Sequence, residues 1–132
     1  MGNFVSVYSE HKQQVIDFTA SRGNVEGAEL IYSFEKACRK YADYHATVEI
    51  FLDEDATPEI WNFVWDAEAP PGVDLPLLDT GSPAARYWHA NQIESHIDRF
   101  AGLEPSDEID ELLVVLGAAA SAGRGVYVFF NE

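Results

Sequence analysis

At 132 residues, 47% of them hydrophobic and 13% aromatic, the chain can bury one sizeable core as a single domain over residues 1–132 and is too apolar to be disordered. Its formal charge of −15, from 23 acids against eight Lys and Arg, argues against direct nucleic-acid binding and against adhesion to an anionic membrane, because both need cations. Cys38 is alone, which excludes an internal disulfide, and no apolar run approaches the roughly 20 residues of a membrane helix.

Met1-Gly2-Asn3-Phe4 has neither the basic start nor the apolar run of a secretory signal, so a cytoplasmic location is the default expectation. Gly2 and Ser6 fit only the loose myristoylation pattern. Asn3–Tyr8 reads as a short strand. Ser9 is the expected N-cap of a short helix carrying Val15, Ile16 and Phe18, which Ser21-Arg22-Gly23-Asn24 breaks. From Val25 to about Tyr44, the positions Ala28, Ile31, Phe34, Cys38 and Tyr41 recur at steps of three and four and predict an amphipathic helix. Lys36, Arg39 and Lys40 fall in its later turns, where the helix dipole favours cations.

His45–Leu52 alternates, with Ala46, Val48, Ile50 and Leu52 facing one way, and predicts a strand. Thr57-Pro58-Glu59 starts a helix that runs to about Trp65. Ala67–Pro83 holds four prolines and two glycines and reads as a loop, and long loops in small domains are usually functional. Ser82-Pro83 starts a helix to about Phe100, with Ala85, Trp88, Ile93, Ile97 and Phe100 inward. Ser106-Asp107-Glu108 starts the last helix, with Ile109, Leu112, Leu113 and Leu116 inward. Gly123-Arg124-Gly125 then turns the chain into a closing strand, Val126–Phe130. The expected fold is α+β, a single small domain of about three short strands with four to five helices packed on one face of the sheet.

The charge is unevenly spread. Residues 1–40 balance five acids against five bases, whereas Tyr41 to Ala85 contains no Lys or Arg and ten acids. Those acids are interleaved with Phe51, Trp61, Phe63 and Trp65. Acids confined to part of a chain and mixed with large aromatics point to a surface that meets a basic partner.

Asp53-Glu54-Asp55-Ala56-Thr57 follows an apolar strand, as does the nucleophile motif of haloacid dehalogenase-type phosphatases. Such enzymes need a phosphate-holding Lys, and none follows Lys40. The D-x-D metal motif of glycosyltransferases belongs to a much longer domain. An acidic strand-to-helix turn capped by Thr57 accounts for the residues better. His89 and His96 stand seven apart on one expected helix, about 10 Å at the helical rise of about 1.5 Å per residue, which is too far for one metal ion. No H-E-x-x-H or C-x-x-C spacing occurs, and neither a metal nor a cofactor is expected. Cys38 lies on an apolar helix face; Lys36, Arg39 and Lys40 could lower its pKa, but a catalytic thiol needs a positioned His, and only His45 is near. Ser82 is a cap before Pro83 and not a nucleophile elbow. Trp61 and Trp65, four apart, share a helical face, with one ring expected in the core and one at an interface rim. Glu104, Asp107, Glu108, Asp110 and Glu111 favour the start of the last helix.

The turn Gly81-Ser82-Pro83-Ala84-Ala85-Arg86-Tyr87 before an amphipathic helix, and the run of small residues Ala118–Ala122 before a glycine turn and the strand Val126–Phe130, resemble parts of the YfbM-like family of small bacterial domains. The resemblance covers residues 80–130. It implies a fold, carries no catalytic residue across, and fits an immunity role. The function read from the residues is that of a non-catalytic acidic immunity protein. It would occlude the basic cleft of a secreted bacterial toxin that acts on nucleotides or nucleic acid. Its partner surface is expected at Asp53, Glu54, Asp55, Glu59, Trp61, Asp66, Glu68, Asp74 and Asp79. One alternative is a small metal- or ligand-binding protein or enzyme built on the Asp53/Asp55 turn or the His89/His96 face. Another is a DNA-mimic inhibitor with acids spaced like phosphates.

Overall fold

The first strand, β1 (Asn3–Ser9), sends Val5 and Val7 to one side and Ser6 and Tyr8 to the other, and all four are buried. A strand buried on both sides belongs to a sheet covered on both faces. The structure, a computed structural model that describes residues 3–41, 47–52, 58–73, 75 and 83–131, shows that arrangement. With β2 (Thr47–Leu52), β3 (Ala84–Trp88) and β4 (Val126–Asn131), β1 forms one antiparallel sheet in the order β2-β1-β4-β3. Val7 stands opposite Val48 on β2 and Val128 on β4.

On one face lie α1 (Lys12–Ser21) and α2 (Ala28–Lys40), whose Phe18, Ile31, Phe34 and Cys38 pack on Tyr8, Tyr127 and Phe129. On the other lie α3 (Pro58–Trp65), α4 (Ala90–Ala101) and α5 (Asp107–Ser121). Their Phe63, Ile93, Phe100, Leu112 and Leu116 meet Val5, Val7, Val126, Val128 and Phe130. The fold is α+β, as expected, with two corrections: the described residues form four strands where about three were expected, and the helices cover both faces and not one.

The additional strand is β3, where the sequence predicts the first turns of a helix. Ala84, Ala85, Tyr87 and Trp88 are all small or aromatic, so neither a two-residue nor a 3.6-residue period stands out. Pairing with β4 decides the matter, setting Ala84 opposite Phe130 and Trp88 opposite Val126. Tyr87 then enters the α1–α2 core and Trp88 the α3–α5 core.

Two helix starts also differ from expectation. The His89 N–H donates to Gln92 Oε1 at 2.9 Å just before α4. The His11 N–H does the same to Gln14 Oε1 at 2.6 Å before α1, while Gln14 Nε2 donates to the Ser9 carbonyl at 3.1 Å. A glutamine reaching back to the residue before the helix is half of a capping box, and it leaves Ser9 as the end of β1 and not a cap. Gly27, at φ 59°, delays α2 to Ala28, and α2 ends at Lys40. The expected starts at Pro58 and Ser106 stand; the Ile109 N–H donates to Ser106 Oγ at 3.2 Å.

The segment after α3 is more than a loop. Glu68 and Tyr87 exchange two backbone hydrogen bonds, of 3.1 and 2.7 Å, along the outer edge of β3. Ala67 belongs to the α3–α5 core, while Val73 and Leu75 pack against the α1–α2 core. The chain therefore passes around the sheet here and covers an edge that would otherwise present unpaired backbone groups.

Candidate functional site

The topology sorts the charge. Residues 10–41 build the α1–α2 layer with five acids against five bases, and two of those acids are paired: Asp17 with Lys40 at 3.2 Å and Glu35 with Arg39 at 3.6 Å. The α3–α5 layer and its connections carry Glu59, Asp66, Glu68, Glu94, Asp98, Glu104, Asp107, Glu108, Asp110 and Glu111 among the described residues, against Arg86 and Arg99. All ten except the half-buried Glu59 are exposed. Among them only Glu68 has an ion-pair partner, His89 Nε2 at 3.2 Å. Among the described residues the acid excess thus sits on one side of the sheet, as a field with few local counter-charges.

Helix α3 gives that side a defined stripe. Ile60, Phe63 and Val64 point into the core. Glu59, Asn62 and Asp66 follow at steps of three and four on the outward side, the Asp66 N–H donating to the Asn62 carbonyl at 2.9 Å to extend the last turn. Trp61 and Trp65 flank the stripe. Both are half-buried against Phe130, with ring centroids 5.4 and 5.1 Å away, so the expected division into one core ring and one rim ring does not hold. The Arg86 guanidinium lies 5.5 Å over the Trp65 ring and donates to the Ala67 carbonyl at 3.4 Å.

Of the candidate partner residues, Glu59, Trp61 and Asp66 come together on and just beyond α3, and Glu68 follows at the β3 edge. Asp53, Glu54, Asp55, Asp74 and Asp79 lie outside the described residues, as do Thr57, His45 and Ser82.

The two histidines do not share a helix. His89 precedes α4, is exposed, and stands edge-on to Tyr87 at 4.8 Å. His96, only 5% exposed, sits 4.2 Å from the Trp88 ring and 5.1 Å from that of Phe63, and its Nδ1 has no hydrogen-bond partner. Burial, helped by the charge of Arg99, lowers its pKa below the usual histidine range, against an opposing pull from Asp66. Cys38 is fully buried, and burial together with Glu35 pushes its thiol pKa up, the opposite of activation by the nearby cations. Among the described residues no group of three His, Cys, Asp or Glu side chains is placed to hold a metal ion. No helix among them is long and apolar enough to cross a membrane.

Two carboxylate networks, one buried at Glu35 and one half-buried at Glu10, escape the sequence reading. Glu35, 6% exposed, accepts from the Tyr8 hydroxyl at 3.0 Å, and burial pushes the Tyr8 pKa up to about 12. Glu10 Oε1 accepts from the Tyr87 hydroxyl at 2.8 Å and the Gly125 N–H at 3.2 Å. Glu35 stands four after Ile31 and three before Cys38, on the apolar stripe of α2. That position marks it as a buried acid, a signal lost when it is counted only toward the charge balance.

No family model matches the chain, and no curated protein or solved structure matches it.

Proposed function

We propose that this chain is a non-catalytic binding protein whose acidic α3–α5 layer docks a basic protein. The partner we infer is a bacterial toxin domain acting on nucleotides or nucleic acid, which the chain would neutralise in the cytoplasm as its immunity protein. One observation carries this reading: nine exposed acids are gathered on the α3–α5 side of the sheet and, apart from Glu68, lack ion-pair partners among the described residues. Unpaired like charges on one layer repel one another, and a cationic partner surface would relieve that repulsion and speed encounter.

The α3 stripe supplies the proposed centre. Glu59 and Asp66 present carboxylates, and the exposed portions of Trp61 and Trp65 present apolar anchors of the kind that dominate interface energetics. A basic cleft evolved to hold phosphates is complementary to such a surface. The resemblance of residues 80–130 to the YfbM-like family is consistent with this role.

The test is co-purification with the product of the adjacent reading frame, at low and high salt, for the natural chain and for a Glu59→Lys, Asp66→Lys, Glu68→Lys triple variant. The complex is expected to weaken with salt and to be lost in the variant. Equal recovery of both proteins at both salt concentrations rejects the electrostatic mechanism.

A further inference from the structure

Helix α3, which carries the docking stripe, is held down at its last turn by one buried cluster. A helix of eight residues is too short to persist by itself. The Phe63 carbonyl is among the last four of the helix, which find no partner further along it, and the Trp88 indole Nε1 donates to it at 2.9 Å. The Phe63 ring stacks on that indole with centroids 5.8 Å apart and meets the Phe100 ring edge-on at 5.5 Å. His96 of α4 closes the cluster, its ring 4.2 Å from Trp88 and 5.1 Å from Phe63. Trp88 thus pins α3 to β3, and the imidazole backs both members of that pin.

The cluster suits only the neutral ring. His96 is 5% exposed, and its Nδ1 is enclosed without a hydrogen-bond partner. A neutral imidazole can leave that nitrogen as an empty acceptor, whereas an imidazolium carries an N–H there that needs an acceptor, and the surrounding rings offer none.

Two charges act on the ring from outside the cluster. Arg99, three residues on along α4, resists a proton there, and Asp66, just beyond α3, attracts one. Arg86 of β3 is turned instead to the Trp65 ring and the Ala67 carbonyl. From α5 the core receives apolar side chains, among them Ile109, Leu112 and Leu116. Asp66 is therefore the carboxylate toward which a protonated His96 is drawn. It is exposed, at the end of the helix that Phe63 anchors.

We propose that His96 is a proton-operated latch on α3: in mild acid the ring takes up a proton, turns its Nδ1–H out to the Asp66 carboxylate, and frees the last turn of the helix from Trp88. The latch stands on the packing alone; that it switches docking rests on the reading of the α3 stripe as the partner surface. The open form binds the proton more readily, so each pH unit below about 6.5 favours opening by up to about tenfold.

Amide hydrogen exchange of the full chain between pH 7.5 and pH 5, with rates corrected for the pH dependence of free amides, tests the latch. At pH 5 the opening constants of Val64 and Trp65 are expected to exceed those of Phe34 and Cys38 in α2 by about tenfold or more. They should rise by up to about tenfold per pH unit below about pH 6.5. His96→Phe should remove the rise, Asp66→Asn should reduce it, and His89→Gln should keep it. A flat response in the natural chain overturns the proposal, as does a rise that survives in His96→Phe or is undiminished in Asp66→Asn. Equal opening constants in α3 and α2 mean global unfolding and overturn it too. Capture of the product of the adjacent reading frame should fall with pH in step with the open fraction, and should hold constant in His96→Phe. Capture that ignores a populated open form rejects the control of docking. No capture at pH 7.5 rejects the docking reading itself, and the exchange rates then decide the latch.

Discussion

The imidazole of His96 lies 4.2 Å from the Trp88 ring, a contact that seals a histidine into the α3–α5 core with its Nδ1 unpaired. Burial lowers its pKa in the folded protein, so the unfolded chain takes up the proton more readily. Stability from this group is complete above about pH 6.5, the ordinary histidine value, and is lost as pH falls from there toward the folded value. Urea midpoints measured from pH 7.5 down to pH 5 should fall. His96→Phe should flatten that limb and raise stability at the acid end, because it removes a buried, unpaired nitrogen. A midpoint in the natural chain that does not change over this range would refute the account.

Alkaline pH acts through the tyrosines. Burial raises the pKa of Tyr8 to about 12 and lifts Tyr87 and Tyr127 as well, the nearby carboxylates adding to the effect. These groups hold their protons more tightly folded than unfolded, so their contribution is intact below pH 10 and is lost as pH rises beyond it. Ultraviolet titration should show a fraction of the six tyrosines ionising only together with unfolding. Tyr8→Phe, which leaves Glu35 without its 3.0 Å donor, should cost about 1–3 kcal/mol in chemical denaturation at pH 7.

Gly125 is fixed by packing and not by backbone conformation. A Cβ there would collide with the Tyr87 hydroxyl and the Trp88 carbonyl. Gly123, at φ 66°, has open space around its Cα. Gly125→Ala should therefore cost about 1–3 kcal/mol through overpacking and break the Tyr87–Glu10 bond. Gly123→Ala should cost about 1 kcal/mol through backbone strain alone. Thermal melts combined with the Tyr87 titration separate the two, since only the first should release that hydroxyl.

Charge reversal on the α3 stripe should leave folding almost untouched. Asp66 is exposed and Glu59 half-buried, and surface substitutions of this kind usually change stability by about 0.5 kcal/mol or less. Glu59→Lys and Asp66→Lys should keep the melting temperature of the natural chain while slowing association with the partner. Stopped-flow association rates, compared across salt concentrations, provide the measurement.

The sequence shows different features to different depths. The Pro58 and Ser106 helix starts are readable because their capping chemistry is local. Burial on both faces of the sheet is also present, in the unbroken apolar run Val126–Phe130, because a half-exposed strand would alternate. Strand β3 is not readable, since Ala84–Trp88 takes its form from pairing with a partner some forty residues on. The starts after His11 and His89 are marked only by glutamines three residues later, a fainter sign than a serine or threonine cap. The acid-rich stretch is plain in the sequence. That the exposed acids of α3, α4 and α5 share one side depends on chain routing, which sends α1 and α2 to one face of the sheet and α3, α4 and α5 to the other.

That routing also sets an order of events. Strand β4 lies between β1 and β3, yet it follows both in the chain by a long interval, and its contacts with Phe4–Ser9 join residues more than a hundred positions apart. A ribosome thus releases the flanking strands well before the one that joins them. Until Val126–Asn131 emerges, β1 has only β2 to pair with, and neither core has its central wall. Closing so distant a contact is slow, so assembly should wait until Val126–Asn131 has cleared the ribosome. A nascent chain stalled before Val126 should be degraded readily, and one stalled far enough beyond Asn131 for β4 to emerge should resist.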